Sequence, residues 1–435
     1  MLKKLIIILY VAVLIVMGTA TLVEKANSTD YAHEHIYGAW WFVALWAALA
    51  IAGAIYYIMY ARRSFHVRSA LLHLSLIVIL IGAFISFTQG FNGNIHLRQG
   101  YPERIMVEES RGKHLTRLLP FALKLDTFAI KTDTTGRIID YTSRFDIIGP
   151  PAPERGSVEQ AEVSIGPPTP ERGRVEQAEV SMNNIYKYGE YRFYQASYDE
   201  DLRGSVLIVN HDFYGITVTY VGYALLFLSF ILLISRPGVT GTGSVDPKFG
   251  SRRPVPATRW WLAATVVLLT LLWCLDYFVL DGSWREIPIL RHPLLAIHVI
   301  TIILAYALLL VMAIKSLWWL IRKRVTGTGR LDPNSGSTDP VPATQLTVAL
   351  GLLSAGIFIG AIWANVSWGN YWSWDAKETW ALITLMVYAV PAHRRMFPVF
   401  RNPKVYHTYI LLAFLCILMT YFGVNHFLTG MHSYA

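Results

Sequence analysis

The feature that most constrains this chain is a series of long apolar runs. About 20 apolar residues cross the hydrocarbon of a bilayer, and a helix satisfies its own backbone polar groups there. The runs fall at 5–23, 39–60, 69–89, 215–235, 260–280, 294–320, 344–366, 378–393 and 406–428. Only 15% of the 435 residues are charged, against about 25% in soluble domains. The expected fold is a polytopic α-helical membrane protein of about nine transmembrane helices. The first run follows Lys3 and Lys4. It reads as a retained span, because Gly18-Thr19-Ala20 is a weak cleavage context and further spans follow.

Basic residues set the orientation. Lys3-Lys4, Arg62-Arg63-Arg68, Arg236 to Arg259, Arg322-Lys323-Arg324, and Arg394-Arg395 with Arg401 and Lys404 occupy alternate loops. The positive-inside rule puts these loops in the cytoplasm. The amino terminus is then inside and the carboxyl terminus outside. The formal charge of +9 is topological on this reading and implies no nucleic-acid partner. Outside lie 24–38, the long insert 90–214, 281–293, the tryptophan-rich stretch near 370, and the tail 429–435.

The insert has short alternating runs, such as Tyr191-Arg192-Phe193-Tyr194 and Ser205 to Val209, bounded by Gly and Asp. They predict a modest extracytoplasmic β-rich domain. A tandem repeat inside it, PAPERGSVEQAEVS at 151–164 and PTPERGRVEQAEVS at 168–181, reads from its Pro and Glu content as an exposed, flexible excursion. A second echo, VTGTG…PVPAT, occurs at 239–258 and 325–344. Neither copy has the lysine-bearing phosphate-loop pattern, so both read as linkers. The first copy divides the chain into 1–236, a linker 237–258, and 259–435.

Chemistry concentrates between Trp363 and Arg395. Trp363, Trp368, Trp372, Trp374 and Trp380 crowd together with Tyr371, and charge enters only at Asp375, Lys377 and Glu378. A flat aromatic ligand at a membrane surface would use such a slot. The alternatives are an interfacial aromatic belt and, for Asp375 and Glu378, capping of the eighth span. Ionisable residues within spans are costly and so are functional candidates. His73 and His393 fall at inner depth, and His298 and His432 at the outer face. Two axial imidazoles on one haem iron would suit such pairs. Arg394, Arg395 or Lys377 would partner the propionates. His292 and His426 rival the outer pair. A span-end histidine can also simply snorkel or cap, and His33, His35, His66, His96, His114, His211 and His407 stay in that class. No HxxxH or Cys/His cluster points to zinc. Cys274 and Cys416 form no CxxC pair.

The segment WGNYWSWDAKETWALIT, followed by VYAVPAHRR and closing on TYFGVNHFLTGMHSYA, resembles the tryptophan-rich "WWD" signature of CcsA (ResC), a haem-handling family of cytochrome c biogenesis. Ala376 stands where that family has proline, and Ala435 where it has glycine. LLAIHVITIILAY resembles the segment bearing the family's first outer histidine, which maps to His298. This likeness covers roughly 260–435. HLSLIVILIGAFIS at 73–86 and YRFYQASYDEDLRGSVLIVNHDFYG at 191–215 resemble CcsB (ResB), the partner family. Together they resemble a CcsB–CcsA fusion, a System II cytochrome c synthase of the bacterial cytoplasmic (inner) membrane.

The resemblance implies that His73 and His393 hold haem b (iron protoporphyrin IX) within the membrane, and that His298 and His432 ligate it outside. Trp368, Gly369, Tyr371, Trp372, Trp374 and Asp375 would form its platform. The partner would be an apocytochrome c with a CxxCH motif, whose thiols add across the haem vinyls. No residue of this chain is expected to act as nucleophile or general base, and thiol reduction would fall to other proteins. A haem exporter without ligation and a membrane b-type electron-transfer cytochrome are the rival readings. The placement of His298 and His432 at the outer face argues against the second.

Overall fold

The computed structural model describes residues 1–61, 67–110, 113–132, 134, 136, 138–149, 174–182, 184–234, 292–326, 343–394 and 396–428. The expected span 260–280, the linker 237–258, residues 327–342 of the second linker and His432 lie outside the described residues, as do the first repeat copy and Arg395; the ends of that second linker belong to helices.

Eight principal helices are described: α1 Leu2–Ala26, α2 Trp40–Ala61, α3 Val67–Gln89, α4 Phe213–Ile234, α5 Pro293–Thr326, α6 Ala343–Trp368, α7 Ala376–Ala389 and α8 Pro403–Leu418. Helical turns extend α8 as far as Phe427. Seven helices of the described residues are long and apolar enough to cross a membrane, all but α7. The chain is a multi-pass membrane protein. Large apolar side chains such as Ile8, Ile58, Ile81, Ile231, Ile314 and Leu412 stand exposed along the helices, as a lipid-facing surface requires.

The eighth expected span, 378–393, is shorter than its sequence suggests. Helix α7 has 14 residues and tightens into a 3-10 turn, Val390–His393. Pro391 is the cause, since it offers no N–H to Val387 and its ring crowds the preceding turn. One carbonyl thereby loses its backbone partner and another changes it. The Val390 N–H turns to Val387, so the Met386 carbonyl accepts from the Tyr10 hydroxyl at 2.7 Å. The Val387 carbonyl accepts from the Tyr409 hydroxyl at 2.8 Å.

Helix α6 is the most enclosed span, and the largest apolar core of the helices gathers around it. Leu353, Ile357 and Ala361 meet Leu309 and Met312 of α5, Tyr223 of α4, Tyr388 of α7 and Ile410 of α8. A second core joins Val13 and Met17 of α1 to Phe42 of α2 and Ile383 and Met386 of α7. Helices α3 and α4 touch backbone to backbone. A Cβ on Gly82 would fall 2.6 Å from the Thr219 nitrogen, and one on Gly222 would fall 2.9 Å from that of Ile79. Small residues permit this approach in membranes.

Between α3 and α4 the chain leaves the bundle as eight antiparallel strands: β1 Phe91–Arg98, β2 Pro102–Ser110, β3 Lys113–Thr132, β4 Ile138–Gly149, β5 Arg174–Ser181, β6 Tyr186–Tyr188, β7 Tyr191–Tyr198 and β8 Gly204–His211. Their order is β5-β4-β3-β2-β1-β8-β7-β6. First and last strands pair, with Phe91 opposite His211, so the sheet returns to its point of departure. Ile95 and Leu97 of β1 point inward while His96 and Arg98 point out, the period of two expected of a half-buried strand. The sheet curls until the Tyr186 hydroxyl donates to Glu176 on the opposite edge. Within the curl a buried trio, Ser143, Gln195 and Ser205, bonds among itself.

The second repeat copy corrects an expectation. Its RVEQAEVS end is no flexible excursion but β5, paired with β4 from Thr142–Ser181 to Gly149–Arg174. Ala178 and Val180 are buried in the sheet core. That alternation outweighs the Glu content, because Glu176 accepts from Tyr186 and Glu179 pairs with Arg144.

Candidate functional site

The tryptophan-rich stretch is the link between α6 and α7. Helix α6 ends at Trp368, and Gly369 follows with φ +86°, the left-handed residue that commonly closes a helix. A Cβ there would also press on the Tyr194 ring at 3.0 Å. Trp374 has φ +57° without being glycine, a conformation that costs about 1–2 kcal/mol and must be held by its surroundings. Asp375 is the N-cap of α7. Its carboxylate accepts from the Glu378 N–H at 2.8 Å, and Glu378 in turn accepts from the Ser373 N–H at 2.8 Å. The capping role of this pair is thus realised, with Asp375 buried.

The indoles pack edge to face. Trp363 and Trp368 lie 4.7 Å apart at 73°, and Trp372 and Trp374 5.7 Å apart at 84°. Tyr37 stacks on Trp374 at 5.2 Å and 11°. The Nε1–H donors of Trp363 and Trp372 are buried with no hydrogen-bond acceptor among the described residues. Buried donors of this kind are normally matched, and a ligand carrying acceptor oxygens would match them.

The sheet domain and its two flanking helices hold the link from one side. Asn210 of β8 donates to the Gly369 carbonyl at 3.1 Å, joined there by Asn365 at 3.2 Å. Arg192 of β7 and Tyr220 of α4 both donate to the Asn365 side-chain oxygen, at 3.2 and 3.0 Å. Asn92 of β1 donates to Asn370 at 2.9 Å, and Tyr371 donates to Ser86 of α3 at 3.0 Å. On the other side His33, next to the short helix Thr29–Ala32, meets the Ser373 carbonyl at 2.7 Å. None of these holding residues stood out in the sequence. Only Asn365, a polar side chain inside an apolar run, carried a signal.

His298 lies in the early turns of α5. Its Nδ1 donates to the Gly356 carbonyl of α6 at 2.7 Å, and its ring occupies the space left by Gly360. Gly360 is roughly 12 Å below Trp368 at 1.5 Å per residue. Of its sequence rivals, His292 accepts from the Leu294 N–H at the start of α5, and His426 is exposed. Lys377 donates to Asn425 at 3.1 Å.

At the opposite end of α7 a second cluster forms. The rings of His73 and His393 lie 6.1 Å apart at 85°, and Tyr57 stacks on His73 at 4.6 Å. His73 Nδ1 bonds the Ser69 carbonyl at 2.7 Å, and His393 Nδ1 the Ala389 carbonyl at 2.9 Å. A carbonyl can only accept, so both protons sit on Nδ1 and both Nε2 lone pairs can bind a metal. A histidine ligand is commonly fixed this way. With metal–imidazole bonds of about 2.0–2.1 Å, two rings sharing one metal on opposite sides stand roughly 6 Å apart, centre to centre. The 6.1 Å between the His73 and His393 ring centres is a separation at which two imidazoles can share a haem iron. Beside them the Arg394 guanidinium lies 4.4 Å over the Tyr406 ring.

Comparison with known proteins finds two families, on separate stretches of the chain. Residues 254–432 match the family described as Cytochrome C assembly protein, and residues 58–227 match the ResB-like family. Protein NrfI of Wolinella succinogenes is 44% identical over 105 residues, which is 24% of this chain and 12% of that protein. The cytochrome c biogenesis protein CcsA of Chlamydomonas reinhardtii is 36% identical over 150 residues, covering 34% of this chain and 42% of that protein. CcsA of a Synechococcus strain is 35% identical over 184 residues, covering 36% and 60%. The chain therefore matches less than two thirds of the length of each.

Proposed function

We propose, for a chain that joins a ResB-like half to a CcsA-type half as in the System II fusions, that it carries haem across a bacterial cytoplasmic membrane and attaches it to apocytochrome c. The observation that carries this reading is the two-ended character of α7. One end is the tryptophan link, clamped by the sheet domain. The other is the His73–His393 pair at metal-sharing separation.

In this reading the amino terminus and the His73–His393 end face the cytoplasm, and the sheet domain, His298 and His432 face outward. Haem b is cargo. His73 and His393 hold its iron through Nε2, and Arg394 and Arg395 lie beside the propionates. At the outer end His298 and His432 ligate the iron. Trp368, Gly369, Tyr371, Trp372, Trp374 and Asp375 form the platform that fixes the porphyrin plane.

The bond-forming step adds each cysteine S–H of a CxxCH motif across a vinyl C=C. Sulfur joins one vinyl carbon, hydrogen ends on the other, and no leaving group departs. The chain contributes orientation rather than acid–base chemistry. Holding the vinyl edge against the thiols raises their effective concentration, which can supply ~7–11 kcal/mol of a barrier. Cys416 lies among the spans, packed beside the second core, so the substrate's thiols would be kept reduced by other proteins.

The test is expression of the full chain with an apocytochrome in cells lacking their own assembly system. The expected result is covalent haem on the CxxCH motif and a bis-histidine spectrum from the purified chain. Bound haem without covalent product would instead favour an exporter. Haem that is never delivered would favour a b-type electron-transfer cytochrome.

A further inference from the structure

Helix α1 runs antiparallel along α7, and the two meet at three levels. At the proline-broken end the Tyr10 hydroxyl donates to the Met386 carbonyl at 2.7 Å. Higher up, the Trp380 indole N–H donates to the Thr21 hydroxyl at 3.2 Å. Just beyond α1, His33 Nε2 meets the Ser373 carbonyl at 2.7 Å, while Tyr37 stacks on the Trp374 ring and Phe42 meets its edge at 5.2 Å. All five of these side chains precede residue 58, outside both family-matched stretches.

Each contact meets a need that α7 cannot meet alone. Met386 has lost its helical partner to the 3-10 turn ahead of Pro391. Ser373 sits in the link, where no helix or strand ladder reaches its carbonyl, and the next residue is the one held at φ +57°. A carbonyl only accepts, so the His33 ring carries its proton on Nε2. A neutral ring is enough, and burial favours that form.

We propose that the amino-terminal segment is a positioning splint for the haem-handling helix. His33 fixes the Ser373–Trp374 turn at one end, and at the other Tyr10 fixes the Met386 carbonyl, just ahead of the His393-bearing turn. Neither residue touches cargo. They act through the backbone of the groups that do, and so set the two ends of α7 at a fixed separation and rotation. The word "haem-handling" rests on the function proposed above, but the splint itself does not.

The test is amide hydrogen exchange on the purified full chain in lipid nanodiscs, with His33→Ala, His33→Gln and Tyr10→Phe. An unheld segment exchanges through local opening. His33→Ala should speed exchange at 372–376 by about tenfold or more, whereas His33→Gln, which keeps an N–H donor, should stay within about threefold of wild type. Tyr10→Phe should speed exchange at 386–393 and leave 372–376 alone. Unchanged exchange at 372–376 in His33→Ala overturns the proposal. So does a Gln variant as fast as the Ala variant, and if the Ala variant does not accumulate, Gln against wild type together with Tyr10→Phe decides. In parallel, covalent haem product should fall about tenfold with His33→Ala and recover with His33→Gln. A wild-type chain that binds no haem and yields no product would refute the function proposed above, while the exchange result would still decide the splint.

Discussion

Gly360→Ala tests the outer site through a single methyl group. A Cβ on Gly360 would stand 2.6 Å from His298 Nδ1 and 2.7 Å from Cε1. Carbon contacts are most favourable near 3.5–4.0 Å, so the ring must retreat by about 1 Å. The retreat pulls Nδ1 from the Gly356 carbonyl, now 2.7 Å away. Two effects on stability oppose each other. Alanine is a better helix residue than glycine by about 1 kcal/mol, and overpacking costs about 1–3 kcal/mol. The net change, roughly 0–2 kcal/mol destabilising, leaves the fold intact. Function should suffer far more, since a 1 Å misplacement of a positioned group costs on the order of 100-fold. The assay is covalent haem on a co-expressed apocytochrome, normalised to the amount of chain in the membrane. Gly53→Ala is the control, because a Cβ there meets nothing within 4 Å. Gly360→Ala at normal abundance with more than half the wild-type product would refute the argument that His298 acts from its present position.

Four further outcomes are expected. His73→Ala and His393→Ala should each remove the bis-histidine spectrum from the purified chain, and exogenous imidazole should restore it. Tyr409→Phe removes the side-chain donor from the Val387 carbonyl, which keeps the Val390 N–H, so it should cost about 0.5–1.5 kcal/mol and appear as a lower thermal midpoint with less retained haem. Burial holds the His33 pKa below its usual 6.5, against the smaller opposing pulls of Ser373 and Asp30. A folded pKa below the unfolded one contributes stability that is complete above 6.5 and lost as pH falls through the folded value. The thermal midpoint of wild type relative to His33→Gln should therefore drop between about pH 7 and pH 5. Deleting 151–167 leaves VEQAEVS at 175–181 to form β5, so folding and product should both persist.

How much of this was legible in sequence depended on whether the signal was local. The seven described spans were, because each is a run of apolar residues that must be helical in lipid. Helix α7 was the exception: Pro391 shortens it, and charge stands at both ends. The alternation within β5 was hidden by the Pro-Glu composition of its repeat. The tryptophan link and the His73 and His393 positions were visible as residue types out of place. The residues that hold the link were not. Asn92, Arg192, Asn210 and Tyr220 are ordinary polar or aromatic residues locally, and only the sheet's return to the bundle brings them to Gly369, Asn365 and Asn370. His33 looked like any histidine near a span end until the turn at Ser373 was seen above it.

The pairing of Phe91 with His211 also sets an order of assembly. Contacts between residues so far apart in sequence must wait for the chain between them, and their loop-closure entropy is lost before they repay it. β1 can meet β2 early, but it cannot meet β8 until the chain between them has been made. Arg192 and Asn210 grip the α6–α7 link only after that closure. A chain whose β1 and β8 fail to pair would thus hold its helices in the membrane with the α6–α7 link unclamped. Slow-folding variants of β1 or β8 should therefore accumulate as inserted but unclamped protein.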